Sequence, residues 1–186
     1  MKVRRAVESV AVPVDGLLAG ALPRVDYADA YRATLEGTPA PSLDELARAL
    51  LGTAPGWVEA LMRLRNTVVR PFGLKTGPVK SADPATLAPG ARVGIFCVLA
   101  RREGELLLGE DDRHLDFRVS LRIEEHAGKT CVVLTTVVCF HNWFGRAYFV
   151  PVAPMHRLIV PAMITSGLDA LAAIQLASPS SSSTRS

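Results

Sequence analysis

The chain has 186 residues, of which 49% are hydrophobic and 21% are charged, and its formal net charge is +3. This composition excludes a disordered chain, and the near balance of 21 basic and 18 acidic residues provides no cationic stripe of the kind that nucleic-acid binding requires. We therefore expect one globular domain over residues 1–176 and no nucleic-acid partner. A disordered, serine-rich tail is expected over residues 177–186.

The cysteines, the N-terminus and the most apolar stretch of the chain indicate the cellular compartment of the protein. Cys97, Cys131 and Cys139 lie in apolar segments without Cys-x-x-Cys spacing, so free thiols in a reducing compartment explain them better than disulfides do. The N-terminus lacks the apolar core of a signal peptide, and the most apolar stretch, residues 147–177, is interrupted by charged residues and three prolines. The sequence thus predicts a cytoplasmic protein without stable membrane insertion.

The N-terminal part of the chain predicts two strands joined by a short helix. Loose alternation over residues 2–12 indicates a strand, and the apolar run at 14–22 indicates a short helix that ends before Pro23. Residues 26–35 fit one face of a helix as well as one face of a strand, and we favour the strand.

Two helices and a loop are predicted next. Ser42 and Glu45 form a capping box at the start of the first helix, whose apolar stripe ends at Gly52. The second helix is expected over residues 57–69. Residues 75–90 are rich in proline and glycine and are expected to form a long loop, a candidate lid.

From residue 93 onward the apolar residues alternate with a period of two. This pattern predicts an antiparallel meander of four strands, at 93–101, 105–110, 114–125 and 130–141. The third strand alternates apolar and polar residues, which predicts one solvent-facing side. The fourth is apolar on both sides, which predicts that a helix or the partner subunit of a homodimer covers its second side.

The remaining residues, 143–176, predict a helix that Pro151 and Pro154 split. Pro161 is expected to kink this helix or to begin a new segment. Such a helix covering an antiparallel sheet gives an α+β domain. A gap between a curved sheet and this helix would form a pocket, whereas close packing would leave a filled core. Apolar side chains that fit either outcome are Phe96, Val98, Leu115, Phe117, Val119, Leu134, Val138, Tyr148 and Met163.

Several strings of the sequence, taken together, resemble a known family. They are LGEDDRHLDFRVS at 108–120, HNWFGRAYF at 141–149, PMHRLIV at 154–160, DYADA at 26–30, LRN at 64–66 and FGLK at 72–75. The set resembles an uncharacterised bacterial family, domain of unknown function 2867 (DUF2867), over about residues 10–175. That family looks related to the START-like, helix-grip superfamily, also called SRPBCC.

The resemblance implies a fold but no activity. The expected helix-grip fold is an antiparallel sheet wrapped on a long C-terminal helix, with two or three helices inserted after the first strands. It also implies a hydrophobic cavity between the sheet and the terminal helix.

Two pairs of polar residues are candidates for chemistry. His114 and Asp116 are two residues apart on a predicted strand, so they share a face and could form an acid/base pair; the alternative is a solvated turn. Cys139 and His141 could offer two metal ligands, but no second pair at suitable spacing accompanies them, and we expect no metal. No nucleophile motif or phosphate-binding loop occurs, and no cofactor is expected.

The start of the last helix provides further candidates. Asn142 is placed to cap this helix, with Trp143 and Arg146 in its first turn. Arg146 is expected to pair with Asp116 or Glu124 on the sheet rim or to bind a ligand carboxylate. His156 is either a general base in the cavity or a histidine whose hydrogen bonds are satisfied in the core or at its rim.

Three functions remain open, of which we favour the first. It is a binding module for a small hydrophobic molecule, such as a lipid, polyketide-like or aromatic metabolite, held between sheet and terminal helix. Its predicted binding residues are Phe96, Phe117, Val119, Leu134, Val138, Trp143, Arg146, Tyr148, His156 and Met163. The second is an enzyme of the cyclase or dehydratase type, with His114, Asp116 or His156 as the acid/base group. The third is a structural dimerisation module.

Overall fold

The computed structural model describes residues 6–35, 40–52, 56, 86–94 and 96–177. The strands are β1 (Val7–Ser9), β2 (Tyr27–Thr34), β3 (Arg92–Val93), β4 (Phe96–Arg102), β5 (Glu105–Asp111), β6 (Leu115–His126) and β7 (Lys129–Phe140). The helices are α1 (Leu43–Leu51) and α2 (Trp143–Ala177), and a 3-10 turn spans Gly16–Leu18. The predicted helix at 57–69, most of the predicted loop at 75–90 and nearly all of the predicted tail lie outside the described residues.

Within the described residues, seven strands form one antiparallel sheet in the order β1-β2-β7-β6-β5-β4-β3. The meander predicted from the period of two is confirmed as β4 to β7, in which each strand pairs with the next. Strand β2 pairs with β7 along its whole length, from Tyr27 opposite Val138 to Thr34 opposite Cys131. The α+β class and the strand at 26–35 are therefore confirmed.

Local signals placed the ends of several elements correctly. The Ser42 hydroxyl accepts a hydrogen bond from the Glu45 N–H, and the Glu45 carboxylate accepts one from the Ser42 N–H, so the capping box is confirmed. The hairpin between β6 and β7 turns at Ala127 and Gly128, both with positive φ, as two-residue hairpins require.

The short helix predicted at 14–22 is wrong, because only one 3-10 turn forms there. Gly16 and Gly20 have φ of +78° and +72°, in the left-handed region that a right-handed helix cannot continue. The strand predicted at 2–12 is confirmed only over Val7–Ser9.

Helix α2 is unbroken, so the predicted split is wrong. It contains three prolines: Pro151, Pro154 and Pro161. A proline has no N–H to donate to the carbonyl four residues earlier. The three carbonyls concerned belong to exposed residues, namely Ala147, Val150 and Arg157. Water can hydrate these carbonyls, and the helix persists through the prolines.

The core lies between the two helices and one side of the sheet, which we call the helix-facing side. Strand β6 contributes Phe117, Val119 and Leu121 to it, and β7 contributes Leu134 and Val138. Helix α2 packs on α1 and on β1, β2 and β7, and α1 packs on β3 and β6. The terminal helix thus covers the β1-β2-β7 end of the sheet rather than the whole meander that we expected it to cover.

A glycine allows the two helices to approach closely. A Cβ atom at Gly167 of α2 would lie 2.5 Å from the Ala49 carbonyl oxygen of α1. Helix α1 is therefore held directly against α2, and both share the core with the sheet.

The opposite side of the sheet, to which β6 contributes Asp116, Arg118, Ser120 and Arg122, is covered in part by the chain between β1 and β2. We call this segment, residues 10–26, the N-terminal arm, and the sheet side that it contacts the arm-facing side. The 3-10 turn of the arm packs on β4, β5 and β6. Ser120 is 3% exposed, so the prediction that this side of the third meander strand faces solvent is wrong.

A buried carboxylate explains how polar residues are accommodated on the arm-facing side. Glu105 accepts hydrogen bonds from the Ser120 hydroxyl (2.7 Å) and the Leu17 N–H of the arm (3.1 Å), and pairs with Arg102 (2.7 Å). Arg122 pairs with Asp15 of the arm at 3.0 Å.

Strand β7 is buried on both sides, as predicted, from Cys131 onward. The chain itself supplies cover on both sides, so this strand no longer requires a partner subunit.

Candidate functional site

Polar side chains meet where β2, β7 and α2 come together on the helix-facing side. Asp29 of β2 and Thr136 of β7 are direct cross-strand partners. His156 of α2 places Nε2 3.3 Å from Thr136 Oγ1 and 3.4 Å from Asp29 Oδ1. The Tyr27 hydroxyl donates a hydrogen bond to Asp29 Oδ2 at 2.6 Å. We call these four residues the Asp29 site.

The two periodicities of the chain bring these residues together. Alternation along β2 puts Tyr27 and Asp29 on the same side of the sheet as the core residue Tyr31. On α2, His156 lies seven residues after Phe149 and four before Val160, both buried, so it shares their face. The sheet and the helix thus direct polar groups into an otherwise apolar layer.

One atom of the site lacks a hydrogen bond. Asp29 Oδ1 is buried and accepts no hydrogen bond from the part of the chain that the structure describes. His156 Nε2 lies near it, but the hydrogen bond of this nitrogen is with Thr136 Oγ1. A buried carboxylate oxygen without a donor costs free energy, so this atom needs an explanation.

Aromatic rings and a guanidinium contact Tyr27, the residue that donates to the carboxylate. The Tyr27 ring packs edge-on against Phe149 at 4.7 Å and against the His156 ring at 6.1 Å. Burial, followed by the hydrogen bond to Asp29, raises the pKa of Tyr27, although the Arg157 guanidinium opposes the rise. Burial also raises the pKa of Tyr31. Both phenols remain protonated at neutral pH, so Tyr27 acts as a donor to Asp29.

A second aspartate–histidine pair lies on the arm-facing side. Asp116 Oδ2 is 2.9 Å from His141 Nε2, and Asp116 Oδ1 accepts a hydrogen bond from the Asp112 N–H at 3.2 Å. His114, the predicted partner of Asp116, instead lies 3.2 Å from the Asn142 side-chain nitrogen and contacts the Phe144 ring. The predicted pair fails because β6 begins at Leu115, so strand alternation does not reach residue 114.

The start of α2 is capped as predicted, but its arginine has a different partner. Asn142 Oδ1 accepts a hydrogen bond from the Gly145 N–H at 3.0 Å. Arg146 pairs with Asp26 at 3.1 Å rather than with the predicted Asp116 or Glu124. Asp26 immediately precedes β2, which lies beside β7, and this long-range pairing brings the carboxylate to the start of α2.

Asp26 itself is well satisfied. The Phe140 N–H donates to its Oδ2 at 2.7 Å, and the Arg24 guanidinium donates to the same oxygen at 2.8 Å. These two hydrogen bonds, led by the one from Phe140, hold the pKa of Asp26 below its usual range. Together with Arg146 they fasten the end of the arm to β7 and α2.

The remaining predicted binding residues fall into three groups. Val119, Leu134 and Val138 are buried in the core, and Phe96 packs edge-on against Phe117 at 5.8 Å. Tyr148 and Met163 are half-buried on α2. Trp143, which was expected to line the pocket, is exposed on α2, and its ring is not enclosed in the core.

Sequence reasoning missed three residues of the Asp29 site, namely Tyr27, Asp29 and Thr136. The available signal was a carboxylate on the apolar side of an alternating strand, in the string DYADA at 26–30. Such a residue is either paired in the core or functional. His156, which was predicted, is the remaining member.

Among the described residues, no group of three or more histidine, cysteine or acidic side chains could hold a metal ion. Cys97, Cys131 and Cys139 are free thiols, in agreement with the sequence prediction. The Asp29 site itself consists of an aspartate, a histidine, a tyrosine and a threonine, whose side chains provide hydrogen-bonding and proton-transfer groups.

The fold and the site define an α+β protein with an open antiparallel sheet, a long C-terminal helix and a polar cluster between them. Residues 21–163 match the model of a family described as "Protein of unknown function (DUF2867)". The match spans more than half of the chain, so the chain belongs to this family, and the whole Asp29 site lies within it. No curated protein and no solved structure matches the chain.

Proposed function

We propose that the protein binds a small, mostly apolar molecule with a hydroxyl or amine donor, and that Asp29 is its polar anchor. The observation that carries this proposal is the buried Asp29 Oδ1 without a hydrogen-bond partner among the described residues. A donor supplied by a ligand would satisfy this atom. Small-molecule sites combine apolar walls with a few converging polar groups, which is the composition of the Asp29 site.

The neighbouring residues support this role. Tyr27 donates to Asp29 Oδ2 and so orients the carboxylate, leaving Oδ1 for the ligand. Phe149 and the Tyr27 ring provide apolar contacts beside it. The START-like helix-grip relationship, a bacterial origin and a cytoplasmic location belong to the same proposal, and the antiparallel sheet with its long C-terminal helix supports the first of these.

Acid/base catalysis on the bound molecule is the second candidate function. It is favoured by the 3.4 Å approach of His156 Nε2 to Asp29 Oδ1, since an aspartate beside an imidazole orients the ring for proton transfer. In this case His156 would move a proton in a cyclase- or dehydratase-type reaction. Chemical change of the bound molecule by the wild type but not by a His156→Gln variant would favour catalysis over binding alone.

The first experiment identifies the ligand. The protein, purified from the organism that makes it, is examined by native mass spectrometry. We expect an added mass on the wild type, its loss in Asp29→Asn, and its retention in Asp116→Asn. Asp116 is a matched control because it is also a partly buried aspartate paired with a histidine, on the opposite side of the sheet. Loss of the added mass from both variants, or its absence from the wild type, would contradict the proposal.

The second experiment measures affinity with a defined probe. N-phenyl-1-naphthylamine is apolar, carries one N–H donor and fluoresces when it leaves water. A hydrogen bond to a charged group contributes about 1.5–3 kcal/mol, so we expect Asp29→Asn to weaken probe binding by roughly 10- to 100-fold. Asp116→Asn should change the affinity by less than about twofold. Equal effects of the two substitutions would reject Asp29 as the anchor.

A further inference from the structure

The outer surface of α2 carries a row of exposed apolar residues. Trp143, Val150, Pro154 and Leu158 follow one another at helical spacings of seven, four and four, and therefore lie along one side of the helix. Trp143 is 78% exposed, Val150 72% and Leu158 69%. We call these four residues the outer stripe.

The rest of the helix fixes the direction in which the outer stripe points. Phe149, Val160, Ile164 and Leu168 of α2 are buried in the core against the sheet and α1. Because this side is already packed, α2 cannot rotate the outer stripe inward without exposing the core. The apolar surface is thus a stable feature of the folded domain.

The charged side chains that α2 itself places around the outer stripe have one sign. No acidic residue occurs between Trp143 and Leu168, whereas Arg146 and Arg157 lie on the same flank of α2. Arg146 remains 63% exposed although it pairs with Asp26, and Arg157 is also exposed. A partner that fits this surface has an apolar region to contact the outer stripe and negative charges to contact the two arginines.

We propose that the outer stripe docks on an anionic membrane surface, with α2 lying in the plane of the interface. Tryptophan prefers the boundary between head groups and acyl chains, and arginine pairs with anionic head groups. By length and composition alone α2 could also cross a membrane. One side of α2 is packed in the domain core and cannot contact lipid. This packing favours docking of α2 on the membrane surface over crossing of the membrane.

The prolines of α2 support the same orientation. They free the carbonyls of Ala147, Val150 and Arg157, which belong to the exposed side of the helix. In the hydrocarbon core these carbonyls would have no donor, whereas the interface retains water that hydrates them. A helix lying at the surface therefore satisfies both its apolar side chains and its backbone.

A second copy of the chain fits the outer stripe less well. Two copies related by a two-fold axis at the middle of the stripe would place Arg146 of one chain opposite Arg157 of the other. With no acidic residue in this part of the helix, neither guanidinium group would meet a carboxylate on the α2 helix of the facing copy. An anionic lipid surface neutralises both.

The test is flotation of the full-length protein with lipid vesicles. We expect binding to vesicles of phosphatidylcholine mixed with phosphatidylglycerol, weakening as salt is added, and little binding to pure phosphatidylcholine. Val150→Ser should reduce partitioning onto the vesicles about five- to tenfold, because the valine side chain that would be buried in the membrane is replaced by a polar one. Val14→Ser is the matched control, since Val14 is 90% exposed but lies in the N-terminal arm.

A second matched pair lies on α2 itself. Leu158→Ser should weaken vesicle binding, whereas Ile174→Ser, also at an exposed position but outside the outer stripe, should not. Failure of the wild type to float with anionic vesicles at low salt would overturn the proposal, as would equal losses in stripe and control variants. A dimer in solution that Val150→Ser dissociates would assign the stripe to a second copy and likewise overturn it. These outcomes are independent of the Asp29 site.

Discussion

Two aspartate–histidine pairs lie on opposite sides of the same sheet and differ in what satisfies them. Asp29 and His156 approach to 3.4 Å, with side chains 11% and 23% exposed, on the helix-facing side. Asp116 and His141 approach to 2.9 Å, with side chains 17% and 38% exposed, on the arm-facing side. Asp116 Oδ1 accepts a hydrogen bond and Asp116 Oδ2 lies 2.9 Å from His141 Nε2. Asp29 Oδ1 accepts no hydrogen bond from the described residues and has only the longer 3.4 Å approach of His156 Nε2.

The comparison shows that burial alone does not mark a functional carboxylate. Glu105, on the arm-facing side, is buried more deeply than Asp29, yet it is satisfied by Ser120, Leu17 and Arg102. A buried acid with all its donors supplied stabilises the fold. A buried acid that lacks a donor is the better candidate for a ligand contact.

The largest expected effect on stability comes from a substitution that disrupts packing on the arm-facing side. A Cβ at Gly16 would overlap the Arg122 guanidinium and lie 2.6 Å from Glu105 Oε2, at a φ of +78°. We expect Gly16→Ala to lower the free energy of unfolding by about 2–3 kcal/mol, from strain plus the displaced ion pair. Urea denaturation measures it. Gly20→Ala is the control, because Gly20 has a similar φ of +72° with nothing within 4 Å, and should cost about 1 kcal/mol.

The arm would be less closely packed than described if both glycine variants lost the same stability. A larger loss at Gly16 would instead confirm that the arm rests directly on the buried carboxylate.

The next effect concerns the helix-facing side, where Asp44 joins α1 to β4. Asp44 accepts hydrogen bonds from the two terminal nitrogens of the Arg101 guanidinium, at 2.7 and 2.9 Å, and from the Leu87 N–H at 2.7 Å. We expect Asp44→Asn to lower the free energy of unfolding by about 1–2 kcal/mol at neutral pH. In a double-mutant cycle with Arg101→Gln the two losses should not add, and additive losses would show that the pair does not interact.

This loss should depend on pH in a defined direction. The Arg101 guanidinium holds the pKa of Asp44 below its usual range. The carboxylate therefore contributes stability above its unfolded pKa of about 3.9, and the contribution disappears as the pH falls through the lower folded value. The difference between wild type and Asp44→Asn should narrow below about pH 4. A difference that widens there would contradict this assignment.

The smallest effect compares the two pairs directly in ligand-free protein. Asp29→Asn removes a buried charge whose Oδ1 lacks a donor, so we expect stability to be unchanged or to rise by up to about 1 kcal/mol. Asp116→Asn weakens a satisfied pair and should lower stability by about 0.5–1 kcal/mol. Thermal unfolding of both variants measures the contrast. A larger loss for Asp29→Asn would indicate that Asp29 serves the fold rather than a ligand.

The local elements could be predicted from the sequence with good accuracy. The period of two identified β4 to β7 within a few residues, because alternation in a half-buried strand follows directly from the pleat. The capping box at Ser42 and the cap at Asn142 were also predicted, since both depend on residues within one turn of the helix. The continuity of α2 was missed because three prolines suggested a break where the exposed carbonyls could be hydrated.

The candidate site was predicted only in part. His156 was identified because a histidine on the helix predicted to cover the sheet is a candidate general base. Its neighbours Asp29 and Thr136 were missed, because they are 127 and 20 residues away in the sequence. Their meeting depends on β2 pairing with β7, which no local pattern specifies. The same pairing brings Asp26 to Arg146, in place of the partners expected on the meander.

The sequence by itself determined the α+β class, the four-stranded meander, helix α1 and the family, because each depends on short-range periodicity or on linear motifs. Only the tertiary structure decided which polar residues are buried with partners and which are not. Hydrogen-bond satisfaction is a property of three-dimensional neighbours. The N-terminal arm donates a hydrogen bond to Glu105, whereas the described parts of the sheet, the arm and the helices leave Asp29 Oδ1 without a hydrogen bond.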